Sequence, residues 1–151
     1  MKITYKGDYA LKAVLDLAMH YESGRVVPLS EIAGRQDIPM HYLEQIMLII
    51  KGAGYVISKR GIGGGFALTK PPEKISIGDI VRLIEGPVEP IICGKKIHDS
   101  SCGEEQCCAF REIWLEVTDA ISNIVDSVTF AGIMQRTKEL KEQNTGYMYQ
   151  I

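Results

Sequence analysis

The stretch that decides the fold is LSEIAGRQDIPMHYLEQIMLIIKGAGYVISKRGIGGGFALTK, residues 29–70. Its first part predicts a short helix that begins at Ser30, a preferred N-cap residue, and ends around Gly34. Pro39 suits the first turn of a helix and disfavours helix in the residue before it, so a longer helix is expected from about Pro39 to Gly52. A short helix, a tight turn and a longer helix together form a helix-turn-helix pattern.

Directly after this pattern the sequence changes to an alternating period. Residues 55–59 and 66–70 are rich in strand formers and enclose the glycine-rich turn of residues 60–65. A phosphate-binding loop would have to open a helix, whereas this turn opens a strand, so we reject that interpretation. A hairpin behind a helix-turn-helix is a wing. The expected fold class is mainly α with a small β-hairpin wing: a winged helix-turn-helix DNA-binding domain and a long dimerisation helix.

Helices are also expected on both sides of this stretch. Asp8 is a good N-cap for a first helix. Ser76 is followed by an acidic residue three positions later, Asp79, which is a variant of the capping box and predicts the start of a fourth helix.

The C-terminal part predicts one long amphipathic helix over residues 109–128. Its apolar residues recur at alternating spacings of three and four, which is typical of a coiled-coil seam and favours a homodimer; they are Trp114, Val117, Ile121, Ile124 and Val128. The alternative is a helix packed on its own domain. A short helix at 130–140 and a loose tail after Glu142 are expected beyond it.

These patterns divide the chain into a DNA-binding domain (1–86), a cysteine-bearing sensor loop (87–108), and a dimerisation helix with its tail (109–151). Lys and Arg exceed Asp and Glu by three in residues 1–75, and the acidic residues exceed them by five in residues 76–151. A basic half and an acidic half fit a nucleic-acid-binding domain joined to a different module, although a swing of this size is common.

The composition is that of an ordinary globular protein, with 46% hydrophobic and 24% charged residues. We recognise no secretory leader and no apolar run long enough for a membrane span, so a cytoplasmic protein is expected. The sequence shows no nucleophile–base or paired-carboxylate constellation, and we do not expect an enzyme.

Polar residues near the start of the longer helix predict contacts with base edges in the major groove, since glutamine pairs with adenine and glutamate accepts from cytosine; these residues are His41, Tyr42, Glu44 and Gln45. The wing offers Lys59 and Arg60 for phosphate or the minor groove, and Gly64 allows close approach of backbone. A solvated helix face is the alternative for any one of these residues.

All four cysteines, Cys93, Cys102, Cys107 and Cys108, fall within one segment with the spacing C-x8-C-x4-C-C. Clustered cysteines in a cytoplasmic protein favour metal binding or redox chemistry over structural disulfides. Thiolates are soft ligands that suit an iron–sulfur cluster of two or four irons. A thiol redox switch or a zinc site stays open as an alternative.

Three stretches, IPMHYLEQI from residue 38, GYV from residue 54 and RGIGGGFAL from residue 60, resemble the Rrf2 family of winged-helix regulators. KGDYAL from residue 6 and IGDI from residue 77 are similar too, so the resemblance covers about residues 1–135. It implies a homodimer on a roughly palindromic double-stranded DNA operator. The family residues that contact DNA match Tyr42, Leu43, Glu44, Gln45 and Arg60 of this chain.

The resemblance also implies three cysteine ligands between the helix after the wing and the dimer helix. Cys93 and Cys102 match the first two, and Cys108, six residues before Trp114, matches the third better than Cys107. Some relatives use a histidine three residues past the third cysteine, where this chain has Arg111, which cannot ligate.

The fourth ligand therefore stays open. Relatives that use an acidic residue near the partner's N-terminus point to Asp8, whose alternative role is a plain N-cap, and Cys107 is its competitor. The expected function is a repressor whose operator affinity is controlled by the cluster. The alternatives are a cluster-free regulator of the same family, which senses thiol redox state or a protein partner, and a zinc or redox interaction module that does not bind DNA.

Overall fold

The computed structural model describes residues 2–90 and 108–148. Within these ranges the fold is mainly α-helical with one antiparallel two-stranded hairpin, as predicted. The elements in chain order are α1 (Tyr5–Met19), α2 (Leu29–Gln36), α3 (Met40–Gly52), β1 (Val56–Lys59), β2 (Gly65–Leu68), a 3-10 turn (Pro72–Lys74), α4 (Ile77–Glu85), α5 (Ala109–Ser127) and α6 (Phe130–Met148).

Helix α1 lies at the centre of the domain and contacts α2, α3, α4 and α6. Small buried side chains on α1, among them Ala10, Ala13 and Ala18, let the neighbouring helices approach closely. Larger aliphatic and aromatic side chains from the other elements fill the core around them, and burial of each contributes about 1.5–3 kcal/mol. The largest of these are Val27, Ile32, Leu43, Ile46, Met47, Ile50, Val56, Ile75, Ile80 and Phe130.

The start of α1 differs from the prediction. The helix begins at Tyr5 and its N-cap is Thr4, whose hydroxyl accepts a hydrogen bond from the amide three residues later at 3.4 Å. The carboxylate of Glu85, at the end of α4, accepts from the amide and the hydroxyl of Thr4 at 2.9 and 2.6 Å. Asp8 therefore lies inside the first turn, and its predicted role as N-cap is wrong because a distant glutamate stabilises an earlier start.

Helix α2 also departs from its predicted bounds. It begins directly after Pro28, one residue before Ser30, and it continues through Gly34. The helix ends at Gln36, and the next residue, Asp37, is its C-cap and adopts the left-handed conformation at a φ of 51°. This residue makes the turn of the helix-turn-helix, because aspartate is one of the few non-glycine residues that tolerates that region.

The starts of α3 and α4 agree with the sequence analysis. Pro39 is the N-cap residue of α3, and the helix ends at Gly52. At α4 the Ser76 hydroxyl accepts from the Asp79 amide at 3.0 Å, and the Asp79 carboxylate accepts from the Ser76 amide at 2.8 Å. The predicted capping box is thus complete, and two amides that would otherwise lack partners are satisfied.

The wing is attached to the helix-turn-helix at its root. β1 and β2 pair in the register that places Lys59 opposite Gly65. Val27, just before α2, and Phe66 exchange two N–H···O hydrogen bonds of 2.8 Å each. Only glycine fits at position 65, because a Cβ there would lie 2.2 Å from the carbonyl oxygen of Val27.

The helix at the C-terminal end is longer than predicted. α6 extends from Phe130 to Met148, so the expected loose tail after Glu142 is wrong as far as Met148. Phe130 is fully buried in the core and anchors the first turn of α6. None of the described helices combines the length and the apolar character that a membrane span requires.

The short connection between α5 and α6 is hydrogen-bonded to residues at and just before the start of α4. The Ile77 amide donates to the Val128 carbonyl at 2.9 Å, and the Phe130 amide donates to the Ile75 carbonyl at 3.0 Å. These bonds fix the C-terminal helices to the winged-helix domain.

Candidate nucleic-acid interface

Helix α3 has two faces of opposite character. One is fully buried and holds the helix in the core through Leu43, Ile46, Met47 and Ile50. The DNA contact that the family resemblance implies for Leu43 is therefore wrong for its side chain, which has no accessible surface. The other carries, in its N-terminal half, the exposed polar side chains that the sequence predicts to read DNA, namely His41, Tyr42, Glu44 and Gln45. The structure therefore places all four predicted residues together on one accessible surface of a rigidly packed helix.

Helix α2, which supports α3, is tied to α1 by a buried carboxylate. Arg35 donates from Nε and Nη2 to the two oxygens of Asp16 at 2.9 and 2.7 Å, and Gln36 donates to the same carboxylate at 3.1 Å. Burial raises the pKa of Asp16, but the hydrogen bonds from Arg35 and Gln36 together hold it below its ordinary value. Since these groups satisfy one another, we assign them a structural role.

The predicted wing residues Lys59 and Arg60 are exposed where β1 passes into the turn. Gly61 and Gly63 have φ angles of 94° and 74°, which favour glycine. A Cβ on Gly64 would lie 2.4 Å from the Lys59 carbonyl oxygen, so the tight turn itself requires glycine at this position.

The wing is also linked to the end of α3, because Lys51 donates to the Ser58 hydroxyl at 2.6 Å. Sequence reasoning missed Ile62, which is fully exposed at the tip of the wing. The available signal was an apolar residue enclosed by glycines in a turn.

The first turns of α1 border α3, a contact that the sequence alone does not predict. The ring centroids of Tyr5 and Tyr9 lie 6.3 Å apart, and those of Tyr9 and Tyr42 lie 6.4 Å apart. A recess of about 300 Å³ opens beside them. We call it the tyrosine recess, and it is lined by Tyr5, Lys6, Tyr9, Tyr42 and Gln45. The signal in the sequence was the two tyrosines spaced four apart around the KGDYAL motif.

Helix α5 exposes a large apolar surface. Phe110, Ile113 and Ile124 are 73%, 55% and 65% exposed. Against the domain, the helix is held by Arg82 of α4, which donates to both oxygens of Asp126. The exposed apolar side chains include one member of the predicted seam, Ile124. Several such side chains on one helix are typical of an interaction surface.

Of the predicted cluster ligands, Cys93, Cys102 and Cys107 lie outside the described residues. Cys108 is the N-cap residue of α5 and is partly buried, and its carbonyl accepts from the Arg111 amide at 3.1 Å. No group of three or more potential ligands is assembled within residues 2–90 and 108–148.

Asp8, the remaining candidate ligand, is about half exposed and forms an ion pair with Lys12 at 2.7 Å. The hydrogen bond that the Lys12 ammonium donates to the Asp8 carboxylate raises the pKa of Lys12. The donor set as a whole, four thiols and one accessible carboxylate, is chemically suited to an iron–sulfur cluster.

Comparison with known proteins gives the family. The Rrf2 family model, described as an iron-dependent transcriptional regulator, matches residues 3–136. The HTH-type transcriptional regulator CymR of Bacillus subtilis is 34% identical over the full length of both chains. IscR of Aliivibrio salmonicida is 35% identical over 89% of this chain and 77% of its own.

Solved structures agree with these matches. The structure of CymR, the global cysteine regulator of B. subtilis, superposes with a TM-score of 0.75 at 32% identity, over 90% of this chain and 98% of that one. IscR of T. potens gives a TM-score of 0.73 at 32% identity, over 93% and 90% of the two chains. The chain therefore belongs to the Rrf2 family of winged-helix transcriptional regulators.

Proposed function

We propose that this regulator binds double-stranded DNA as a homodimer and that a cysteine-based signal controls its affinity for an operator. The observation that carries the DNA-binding role is the exposed polar surface on the N-terminal half of α3, supported from behind by four fully buried side chains. A helix that is fixed in the core and polar outside can enter a major groove without rearrangement.

The chemistry of that surface gives the roles of the individual residues. Gln45 offers an amide that matches the edge of adenine, and Glu44 offers a carboxylate that accepts from the cytosine amino group. His41 and Tyr42 border these two. Arg60, exposed at the start of the wing turn, reaches the minor groove, while Lys59 contacts phosphate and Gly64 keeps the turn tight enough to approach the backbone.

We further propose that the second copy of the chain covers the apolar surface of α5. Two copies joined through α5 present two copies of α3, the helix that we propose reads DNA. Such a pair can bind two half-sites about one DNA turn apart. In this scheme residues 1–86 form the DNA-binding domain, 87–108 the sensor loop, and 109–151 the dimerisation region. We place its action in the cytoplasm, where DNA is located in the bacteria whose regulators it resembles.

The first candidate for the signal is an iron–sulfur cluster held by Cys93, Cys102 and Cys108, with Cys107 or Asp8 of the partner subunit as the fourth ligand. The clustered thiols and the match to an iron-dependent family support it. Such a cluster, when bound, supplies sensitivity to iron supply, oxidation or nitric oxide. The chain's own contribution is positional. The cysteine segment, residues 87–108, connects α4 to the exposed helix α5, and α4 is itself hydrogen-bonded to the start of α1.

The second candidate is cluster-free sensing by the thiols or by a protein partner. It is favoured by the similarity to CymR over the full length of the chain, because that protein is named a cysteine regulator. Both candidates use the same DNA-binding surface, so they differ only in the chemistry of the cysteine segment.

Two measurements test the proposal. A random duplex library selected with the wild-type chain yields an operator-like duplex, and anisotropy titration of Arg60→Ala on it is expected to show binding weaker by about 1–3 kcal/mol. The control is Arg136→Ala on α6, which removes the same charge from a side chain that is 58% exposed. Equal affinities of the two variants would remove Arg60 from the interface.

The second measurement is a visible spectrum with iron and sulfide assays on protein purified without oxygen. A coloured protein containing both elements supports the cluster. A protein that stays colourless after reconstitution supports thiol or partner sensing and leaves DNA binding unaffected.

A further inference from the structure

We propose that the tyrosine recess holds one sugar–phosphate unit of the DNA strand that flanks the major groove entered by α3. This inference rests on the proposed function, because it adds the start of α1 to the DNA-contacting surface. The recess is continuous with that surface, since Tyr42 and Gln45, two of the predicted DNA-contacting residues, form part of its lining. A DNA strand lying against these two residues would also lie against the recess.

The lining suits a nucleotide backbone. Tyr5 is 81% exposed, so this large aromatic side chain contributes little to the protein core and is accessible to a ligand. Tyrosine hydroxyls and lysine ammonium groups are among the groups that commonly contact phosphate oxygens, while an aromatic ring provides an apolar surface for the sugar. A volume of about 300 Å³ is at the small end for ligand pockets, which fits a single backbone unit.

Lys6 supplies the positive charge, and the two neighbouring acids already have hydrogen-bonding partners of their own. The Asp8 carboxylate is paired with Lys12 at 2.7 Å. The Glu85 carboxylate accepts from the Thr4 hydroxyl at 2.6 Å and from the Thr4 amide at 2.9 Å. Hydrogen bonds from Thr4, with a smaller effect of the nearby Lys6, hold the pKa of Glu85 below its ordinary value.

The recess is also preformed. The contact of Glu85 with Thr4 fixes the first turn of α1, and the Tyr9 ring lies between those of Tyr5 and Tyr42. A surface that is already ordered loses little conformational entropy on binding. The backbone that carries Tyr5 and Lys6 is therefore in place before DNA arrives.

A phosphate contact has a distinctive signature. Each one adds about 0.9 to the steepness with which log K falls with log salt, so loss of one contact weakens binding about eightfold at ~0.1 M salt. In the proposed homodimer Lys6→Ala removes one contact from each protomer, so the expected loss is about 60-fold and the slope changes by about 1.8. The loss is the same on any duplex because phosphates carry no sequence information. A base-reading residue behaves differently, and Gln45→Ala should weaken binding to the selected duplex much more than to a scrambled one.

The experiment is an anisotropy titration of the full chain with two labelled duplexes of about 30 base pairs, enough for two half-sites. One is selected from a random library by the wild type, and the other is its scrambled sequence. Lys6→Ala is expected to weaken binding to both duplexes by the same factor and to lower the salt slope, while Lys6→Arg restores binding. The matched control is Lys74→Ala, which removes an exposed lysine from the 3-10 turn and should leave both quantities unchanged.

Suppose the wild type binds DNA and Lys6→Ala shows the same affinity and the same salt slope as the wild type. The recess then does not hold DNA, and the inference is overturned while the proposed function stands. If the wild type binds neither duplex, the proposed function fails and the inference fails with it. Urea unfolding of Lys6→Ala should match the wild type because Lys6 is exposed. This check separates lost contact from lost structure.

Discussion

Replacing Gly65 by alanine tests how firmly the wing is attached to the helix-turn-helix. The added Cβ would lie 2.2 and 2.4 Å from the carbonyl oxygen and carbon of Val27 and 2.7 Å from the nitrogen of Pro28. All three are backbone atoms, so no change of rotamer can relieve the overlap. Either β2 and the Val27 segment move apart slightly, or the bridge between Val27 and Phe66 opens.

Both changes in structure lead to a similar loss in the free energy of unfolding. A backbone shift that keeps the bridge costs about 1–3 kcal/mol, as overpacking usually does. Opening the bridge loses two hydrogen bonds of 2.8 Å. Each contributes about 0.5–1.5 kcal/mol net, which gives about 1–3 kcal/mol again. We therefore expect the free energy of unfolding to fall by about 2 kcal/mol, a large share of the ~5–15 kcal/mol typical of a domain.

Urea unfolding followed by circular dichroism measures this change, with Gly34→Ala as the matched control. Gly34 lies within α2 with nothing inside 4 Å of its Cβ position. The same substitution there should stabilise the protein by about 0.5–1 kcal/mol, because alanine is the better helix former. A Gly65→Ala variant as stable as the wild type would show that the wing root adapts freely and would refute the reasoning.

Three further changes test other parts of the structure. Cys102→Ala should abolish any visible absorbance of anaerobically purified protein, and full retention of absorbance and iron would exclude Cys102 as a ligand. Asp16→Asn should lower the free energy of unfolding by about 2 kcal/mol at neutral pH. The pKa of Asp16 is depressed in the folded state, so this difference should persist above pH 3.8 and shrink as the pH falls through the folded pKa. A difference in the free energy of unfolding between the two proteins that grows as the pH falls would contradict this expectation. Ile124→Glu should shift the chain from dimer to monomer in sedimentation, whereas Asn123→Glu, also exposed on α5, should not; equal behaviour of the two would argue against α5 as the dimer surface.

Much of the fold was predictable because it is encoded locally. The helix-turn-helix, the hairpin and the capping box at Ser76 each depend on residues a few positions apart, and the structure confirms them. The start of α1 was not predictable in the same way, since it depends on Glu85, which is 81 positions away from Thr4. The burial of Phe130 in the N-terminal core is likewise a long-range result.

The candidate site likewise has one part that the sequence predicts and one part that depends on long-range packing. The polar face of α3 could be predicted from helical periodicity, because its buried residues recur at spacings of three and four along one element. The tyrosine recess could not, because it forms only when α1 and α3 pack side by side and bring Tyr9 to Tyr42. Gly64 was assigned to close approach of DNA, and the structure shows that the turn itself requires it.

The bridge between Val27 and Phe66 has a consequence for how binding specificity can be changed. It ties the wing to the segment just before α2, so the separation between α3 and the wing is set by the packing within residues 2–90. If α3 and the wing contact DNA as we propose, substitutions at Glu44 or Gln45 would alter which bases are preferred while the spacing between the two contacted grooves stays the same. In the proposed homodimer, a signal from residues 87–108 would then act on the placement of one winged-helix domain relative to that of its partner.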